Sequence, residues 1–89
     1  MPILHTVLFK LAGEATPDQL QAAKASVVAF SEIPGCSWAR FGDVFPSERA
    51  RGYTHQFIGE FENLEALQIF ATHPIHLEAI ATHVRPLFD

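Results

Sequence analysis

The stretch GYTHQFIGEFENLEALQIFATHPIH, residues 52–76, decides the fold of this chain. Tyr53, His55, Phe57 and Phe61 alternate with Thr54, Gln56, Ile58 and Glu60, so the period of two predicts a strand over Gly52–Phe61. After Phe61 the period lengthens. Asn63 is a suitable N-cap, and Leu64, Leu67, Phe70 and Ala71 follow as the apolar face of a helix. His73-Pro74 interrupts that helix, because proline pushes the residue before it out of helical geometry. Pro74 can open a continuing helix that carries Ile75, Leu77, Ile80 and Val84. A strand with a histidine thus leads into a helix whose junction reads His-Pro-x-His.

Working outward, the first residues repeat the theme of an aromatic strand carrying a histidine. Residues 2–11 alternate, with Ile3, His5, Val7, Phe9 and Leu11 on one face and Leu4, Thr6, Leu8 and Lys10 on the other. Apolar residues on both faces imply a sheet covered on both sides. Thr16-Pro17-Asp18-Gln19 is a helix start: Thr as N-cap, Pro at the first position, Gln completing a capping box. Leu20, Ala23, Val27 and Phe30 extend it over 17–31, and Ile33-Pro34-Gly35 turns the chain. Residues 36–45 read as a strand in which Gly42 marks a bulge or a close backbone approach. This strand and the next, joined by the polar loop 46–51, form an antiparallel hairpin. The order β-α-β-β-α is five-sixths of a ferredoxin-like βαββαβ unit, with the final strand missing or reduced to the last few residues. The expected fold class is α+β: an antiparallel sheet with helices on one face.

Eighty-nine residues make a single domain, 1–89. A chain this short buries only about 60–65 % of its unfolded surface, so association is a natural remedy. With 48 % hydrophobic residues and eight Phe, some apolar surface is expected to meet a second copy. A formal charge of −4 with six Lys and Arg gives no basic footprint for nucleic acid and no polybasic membrane anchor. The single cysteine, Cys36, excludes an internal disulfide and fits a reducing compartment. No apolar run is long enough to span a bilayer and no signal peptide is evident. The expected location is the cytoplasm.

The residues that can do chemistry are the histidines. His5 and His55 each sit mid-strand on the face expected to lie under the helices, and His76 follows the helix break; all three are expected to converge on one small apolar pocket. Val7, Phe57 and Phe70 would form its wall, and Tyr53 would stand near its mouth. Neutral-range titration suits each histidine to acid or base work, and each can equally be a core histidine satisfied by its neighbours. His76, Ile80 and His83 share a helical face, which raises a metal site. Without a Cys pair or a His-Glu-x-x-His motif, and with Pro74 breaking the geometry, no metal and no cofactor are expected. His73 suits a helix cap.

Three stretches carry a resemblance to the stress-responsive α/β-barrel (Dabb) family. They are His5-Thr6-Val7-Leu8-Phe9-Lys10; Ile33-Pro34-Gly35; and Gly52-Tyr53-Thr54-His55 with Phe61, Ala66-Leu67 and His73-Pro74-Ile75-His76. The resemblance implies a ferredoxin-like protomer that pairs sheet to sheet as a homodimer, with a pocket between each sheet and its helices. A plant member of the family is a polyketide cyclase whose pocket histidines match His5, His55 and His76, the last matching its general base. The helix tyrosine of that cyclase is Phe70 here, which removes a phenolic donor. Family members also continue into a last strand after the segment matching Arg85-Pro86-Leu87.

Three functions compete. A cofactor-independent cyclase or isomerase would use His76 to take a proton next to a carbonyl, with His5 or His55 orienting the substrate or returning the proton. A non-catalytic structural or binding dimer would use the same histidines for packing. A cofactor-free oxygenase, of the wider dimeric barrel group, would rest on the shared fold and the aromatic pocket alone.

Overall fold

A computed structural model describes residues 1–88. Its elements are β1 (Ile3–Phe9), α1 (Pro17–Val28), β2 (Cys36–Asp43), β3 (His55–Phe61), α2 (Leu64–Thr72) and α3 (Pro74–Ala79). A 3-10 turn, Ala29–Glu32, extends α1, and a π-helical turn, Ile80–Val84, extends α3. The sheet is antiparallel throughout, in the order β1-β3-β2. Beyond the outer edge of β1 the chain returns once: Leu11 bridges Phe88, and the Ala12 N–H donates to the Leu87 carbonyl at 2.7 Å. The last residues thus stand where a ferredoxin-like unit places its final strand, reduced to one bridge.

Local chemistry sets the helix starts. The Thr16 hydroxyl accepts the Gln19 N–H, and the Gln19 side chain accepts the Thr16 N–H, a complete capping box with Pro17 in the first turn. Asn63 caps α2 by accepting the Ala66 N–H at 2.9 Å. His73 has φ −69° and ψ 138°, the extended conformation that Pro74 imposes, and so ends α2. The same residue begins α3, its Nδ1 accepting the Ile75 N–H at 3.1 Å.

The helices cover one face of the sheet. Phe30, Phe61, Phe70, Ile33 and Leu87 are fully buried there, each contributing about 1.5–3 kcal/mol through removal from water. The face of α2 differs from the one its spacing predicts. Ala66 and Phe70 are buried and Leu67 is half-buried, while Leu64 and Ala71 face solvent. The small Ala66 is needed because α2 crosses the chain closely at Gly35. The opposite face of the sheet is bare in this chain, with Leu4 60 % and Leu8 49 % exposed.

Two further expectations are corrected. The irregularity of β2 lies between Cys36 and Trp38, where Ser37 is the extra residue, and not at Gly42, which pairs in register with Gln56. A Cβ at Gly42 would meet nothing within 4 Å, so no close approach explains this glycine either. The third strand begins at His55 rather than at Gly52, since Arg51 and Gly52 both take positive φ and turn the chain first.

Gly35 is the glycine the fold requires. Its φ is +87°, and a Cβ there would lie 2.6 Å from the Ala66 Cβ. Gly35→Ala combines a left-handed penalty of about 1–2 kcal/mol with a steric cost of about 1–3 kcal/mol. A loss of about 3 kcal/mol lowers the melting temperature by roughly 12–24 °C in a domain of this size. Gly13→Ala is the control, because a Cβ there meets nothing within 4 Å. Thermal melts that place the two variants together would refute this account.

Candidate functional site

Between the sheet and the helices lies an apolar cavity with two histidines in its wall. Nine of its eleven lining residues are apolar, among them Val7, Phe30, Phe57, Phe70, Ile80 and Val84; the other two are His5 and His76. The inner void is about 40 Å³, room for about three waters. The cleft as a whole, its open mouth included, holds about 350 Å³ of unfilled space. Its wall is built from all three strands, α1 with its 3-10 turn, α2, α3 and the π-helical turn, the last a feature that recurs at functional sites.

The position of His76 follows from the break between α2 and α3. A helix that stops at Thr72 leaves its last carbonyls without intrahelical partners. The His76 Nδ1–H donates to one of them, the Ala71 carbonyl, at 3.1 Å. This fixes the tautomer: Nδ1 carries the proton and Nε2 keeps its lone pair. The ring is held by Phe70, at 4.2 Å between centroids, and by the edge of Phe30 at 5.7 Å. Burial pushes the His76 pKa below its ordinary value; the Ala71 carbonyl opposes this, and the charge of His5 adds to it. At neutral pH His76 is therefore a neutral imidazole with a free acceptor nitrogen.

His5 faces the same cavity from β1, its ring meeting Phe57 edge-on at 6.0 Å. Among the described residues the histidine ring hydrogen bonds belong to His55, His73 and His76. Among the described residues, none bonds the ring nitrogens of His5, which is half-buried.

His55 shares the covered face but not the cavity. The strand register pairs His5 with Gly59 and Phe9 with His55, so the two histidines stand four residues apart, roughly 13 Å along the sheet. His55 is buried beside Phe41, which stacks on it at 5.9 Å, and Phe88. Its Nε2 lies 3.2 Å from the Asp43 carboxylate, which also faces the Lys24 ammonium at 3.5 Å. On the other side, Nδ1 lies 2.9 Å from the Thr54 hydroxyl, which accepts the Leu11 N–H at 2.9 Å. With the proton on Nε2, His55 donates to Asp43 and accepts from Thr54, tying the ends of all three strands. Burial lowers its pKa, the Asp43 charge opposing and Lys24 reinforcing the shift. Asp43 and Lys24 were not singled out from the sequence. The usable signal was an aspartate at the end of a strand, on the face of Phe41.

Of the other expected residues, Val7, Phe57 and Phe70 line the cavity. Tyr53 does not; it stands ahead of β3, with the Lys10 ammonium 5.1 Å from its ring centroid. His83 is half-buried on the π-helical turn. Among the described residues, no three His, Cys, Asp or Glu side chains are grouped to hold a metal ion. No helix is long and apolar enough to cross a membrane.

One buried and one half-buried histidine, His55 and His76, give stability a pH dependence of defined sign. Both folded pKa values lie below the unfolded value of 6.5. As pH falls below that value the unfolded chain binds more protons than the folded one, so stability rises with pH across this window. Urea midpoints are expected to be constant above about pH 7 and to fall steadily towards about pH 5. His55→Gln and His76→Gln should each flatten the slope, and an unchanged slope in both would contradict it.

A three-stranded antiparallel sheet, helices on one face and a histidine-bearing apolar cavity between them define a ferredoxin-like α+β protein. The chain belongs to the stress responsive A/B barrel domain family, whose model matches residues 3–89. No curated protein matches it in sequence. Among solved structures it is similar to a dimeric ferredoxin-like protein of unknown function from Thermobifida fusca, at 24 % identity and a TM-score of 0.82, covering 99 % of this chain and 82 % of that one. A similar dimeric protein of unknown function from Jannaschia sp. shares 27 % identity with a TM-score of 0.76, over 89 % of this chain and 79 % of that one. The hydroxynitrile lyase of Passiflora edulis has the same fold at 21 % identity, with a TM-score of 0.84 over 99 % of this chain and 84 % of its own.

Proposed function

We propose that this protein is a cofactor-independent proton-transfer enzyme of the cyclase or isomerase kind, working on a small carbonyl compound. One observation carries the reading. The bond from His76 Nδ1–H to the Ala71 carbonyl leaves Nε2 with its lone pair, on a ring that lines the apolar cavity His5 shares. Nε2 takes a proton from the carbon beside a carbonyl, and His5 holds the substrate oxygen or returns the proton. His55 enters only as the tie that holds the strand ends, and Tyr53 only at the surface. Phe70, Phe57 and Val7 exclude water, which strengthens the interactions inside.

The same reading makes the protein a homodimer. Leu4 and Leu8, with Ile58 and Trp38 on the same face, are an apolar surface with no cover in one chain. The similar proteins from Thermobifida fusca and Jannaschia are described as dimeric, and a second sheet laid on this one would bury the patch.

Deuterium exchange into acetophenone tests the enzyme reading, because exchange beside the carbonyl requires only the proton transfer. A cyanohydrin belongs in the substrate panel, given the fold shared with a hydroxynitrile lyase. Exchange or cleavage that depends on His76 supports the reading. A protein inert to the whole panel is a binding or structural dimer. Dioxygen uptake with a phenol would point instead to an oxygenase.

A further inference from the structure

The geometry points to an uncharged ligand bearing a hydroxyl or an enolisable carbonyl, a phenol or ketone rather than an aromatic acid, as the occupant of the His5–His76 cavity. This rests on the same site as the proposed enzyme and names its substrate class.

Charge is the first argument. The chain has six Lys and Arg, and none of them lines the cavity. Lys24, on α1, has its ammonium turned to the Asp43 carboxylate at 3.5 Å. A carboxylate entering among nine apolar side chains would lose its water and find no fixed counter-charge.

Hydrogen-bond polarity is the second argument. The proton of His76 is committed to the Ala71 carbonyl, so Nε2, on a ring that lines the cavity, can only accept. A hydroxyl or an acidic C–H suits it; a carboxylate, which has only acceptor atoms, would set its lone pairs against that of Nε2. His5, with one donor and one acceptor nitrogen in its neutral form, completes a site for an O–H or C=O group.

Size is the third argument. The inner void of about 40 Å³ takes a polar head of few atoms and no more. A ligand of this class therefore directs its oxygen to the histidines and keeps its ring at the open mouth of the cleft, since Phe30, Phe57 and Phe70 are packed on one another.

The test uses protein labelled with 15N in its histidine rings, titrated at about pH 8 with phenol and, separately, with benzoate. Phenol is neutral and benzoate charged at that pH. Phenol is expected to shift the His76 Nε2 resonance and to bind at least about tenfold more tightly than benzoate. His76→Gln should remove most of that preference, and lowering the pH to about 5.5 should narrow it as His76 gains its proton. Benzoate binding within about threefold of phenol overturns the inference, as does a failure of phenol to saturate by about 10 mM. Acetophenone exchange in the same samples separates the two proposals. Exchange without phenol selectivity leaves the enzyme standing and the ligand class wrong. Selective binding without exchange leaves a neutral-ligand binding protein.

Discussion

Phe70→Ala is expected to lower the melting temperature by on the order of 20 °C and to return the His76 pKa towards its ordinary value. Phe70 is only 2 % exposed. Its ring meets Phe61 at 4.7 Å, Phe30 at 5.3 Å, Phe57 at 6.2 Å and His76 at 4.2 Å. Removing a phenyl from such a position costs about 3–5 kcal/mol, the lost transfer energy plus a void the neighbours cannot close. An 89-residue domain has in total only about 4–13 kcal/mol to lose. The second effect has the same origin. Burial is the largest cause of the lowered His76 pKa, and water entering the new space removes that cause. Calorimetry reads the first effect and NMR titration of the imidazole reads the second. A fall in melting temperature with an unmoved pKa would mean that Phe70 supports the core without shielding the base. Phe70→Leu, which keeps most of the volume, should recover a large part of the stability.

The faces of the strands and the ends of the helices were legible in the sequence, because both are set by neighbours a few residues apart. Thr16 with Gln19, Asn63, and the pair His73-Pro74 each state a local hydrogen bond or a steric rule, and each acts as read. Alternation in 2–11 puts His5 and Val7 under the helices, where they lie. Cross-strand level was not legible. A period of two says which face a side chain takes and nothing about which residue stands opposite. The extra residue at Ser37 and the positive-φ pair Arg51-Gly52 set that level, and neither follows from apolar spacing. Hence three histidines on one face read as one cluster, while the register separates His55 from His5 and gives it to Asp43. The face of α2 departs from its hydrophobic spacing for a related reason. Hydrophobic spacing favoured Leu64, but the close crossing at Gly35 demands a side chain as small as Ala66.

His76→Gln is expected to reduce exchange into acetophenone by about 10²–10⁴-fold while the protein stays folded, the range typical of a lost general base. Glutamine is the discriminating substitution because its amide can still donate to the Ala71 carbonyl, which His76 now satisfies at 3.1 Å, but cannot take up a proton near neutrality. The pH profile carries equal weight. A base whose pKa is lowered by burial keeps its lone pair to lower pH than an ordinary histidine. The wild-type rate should therefore rise with pH along an acid limb below about pH 6.5 and stay flat above it. Phe70→Ala should move that limb upward, the kinetic counterpart of its effect on the imidazole. His55→Gln is the internal contrast: it breaks the contact with Asp43 at 3.2 Å and should lower the melting temperature while leaving the limb in place. A His76→Gln protein that exchanges as fast as the wild type removes His76 from the chemistry. Equal loss in His55→Gln with an unshifted melting temperature would return the strand-end histidine to the reaction and require the Phe41 wall between it and the cavity to open.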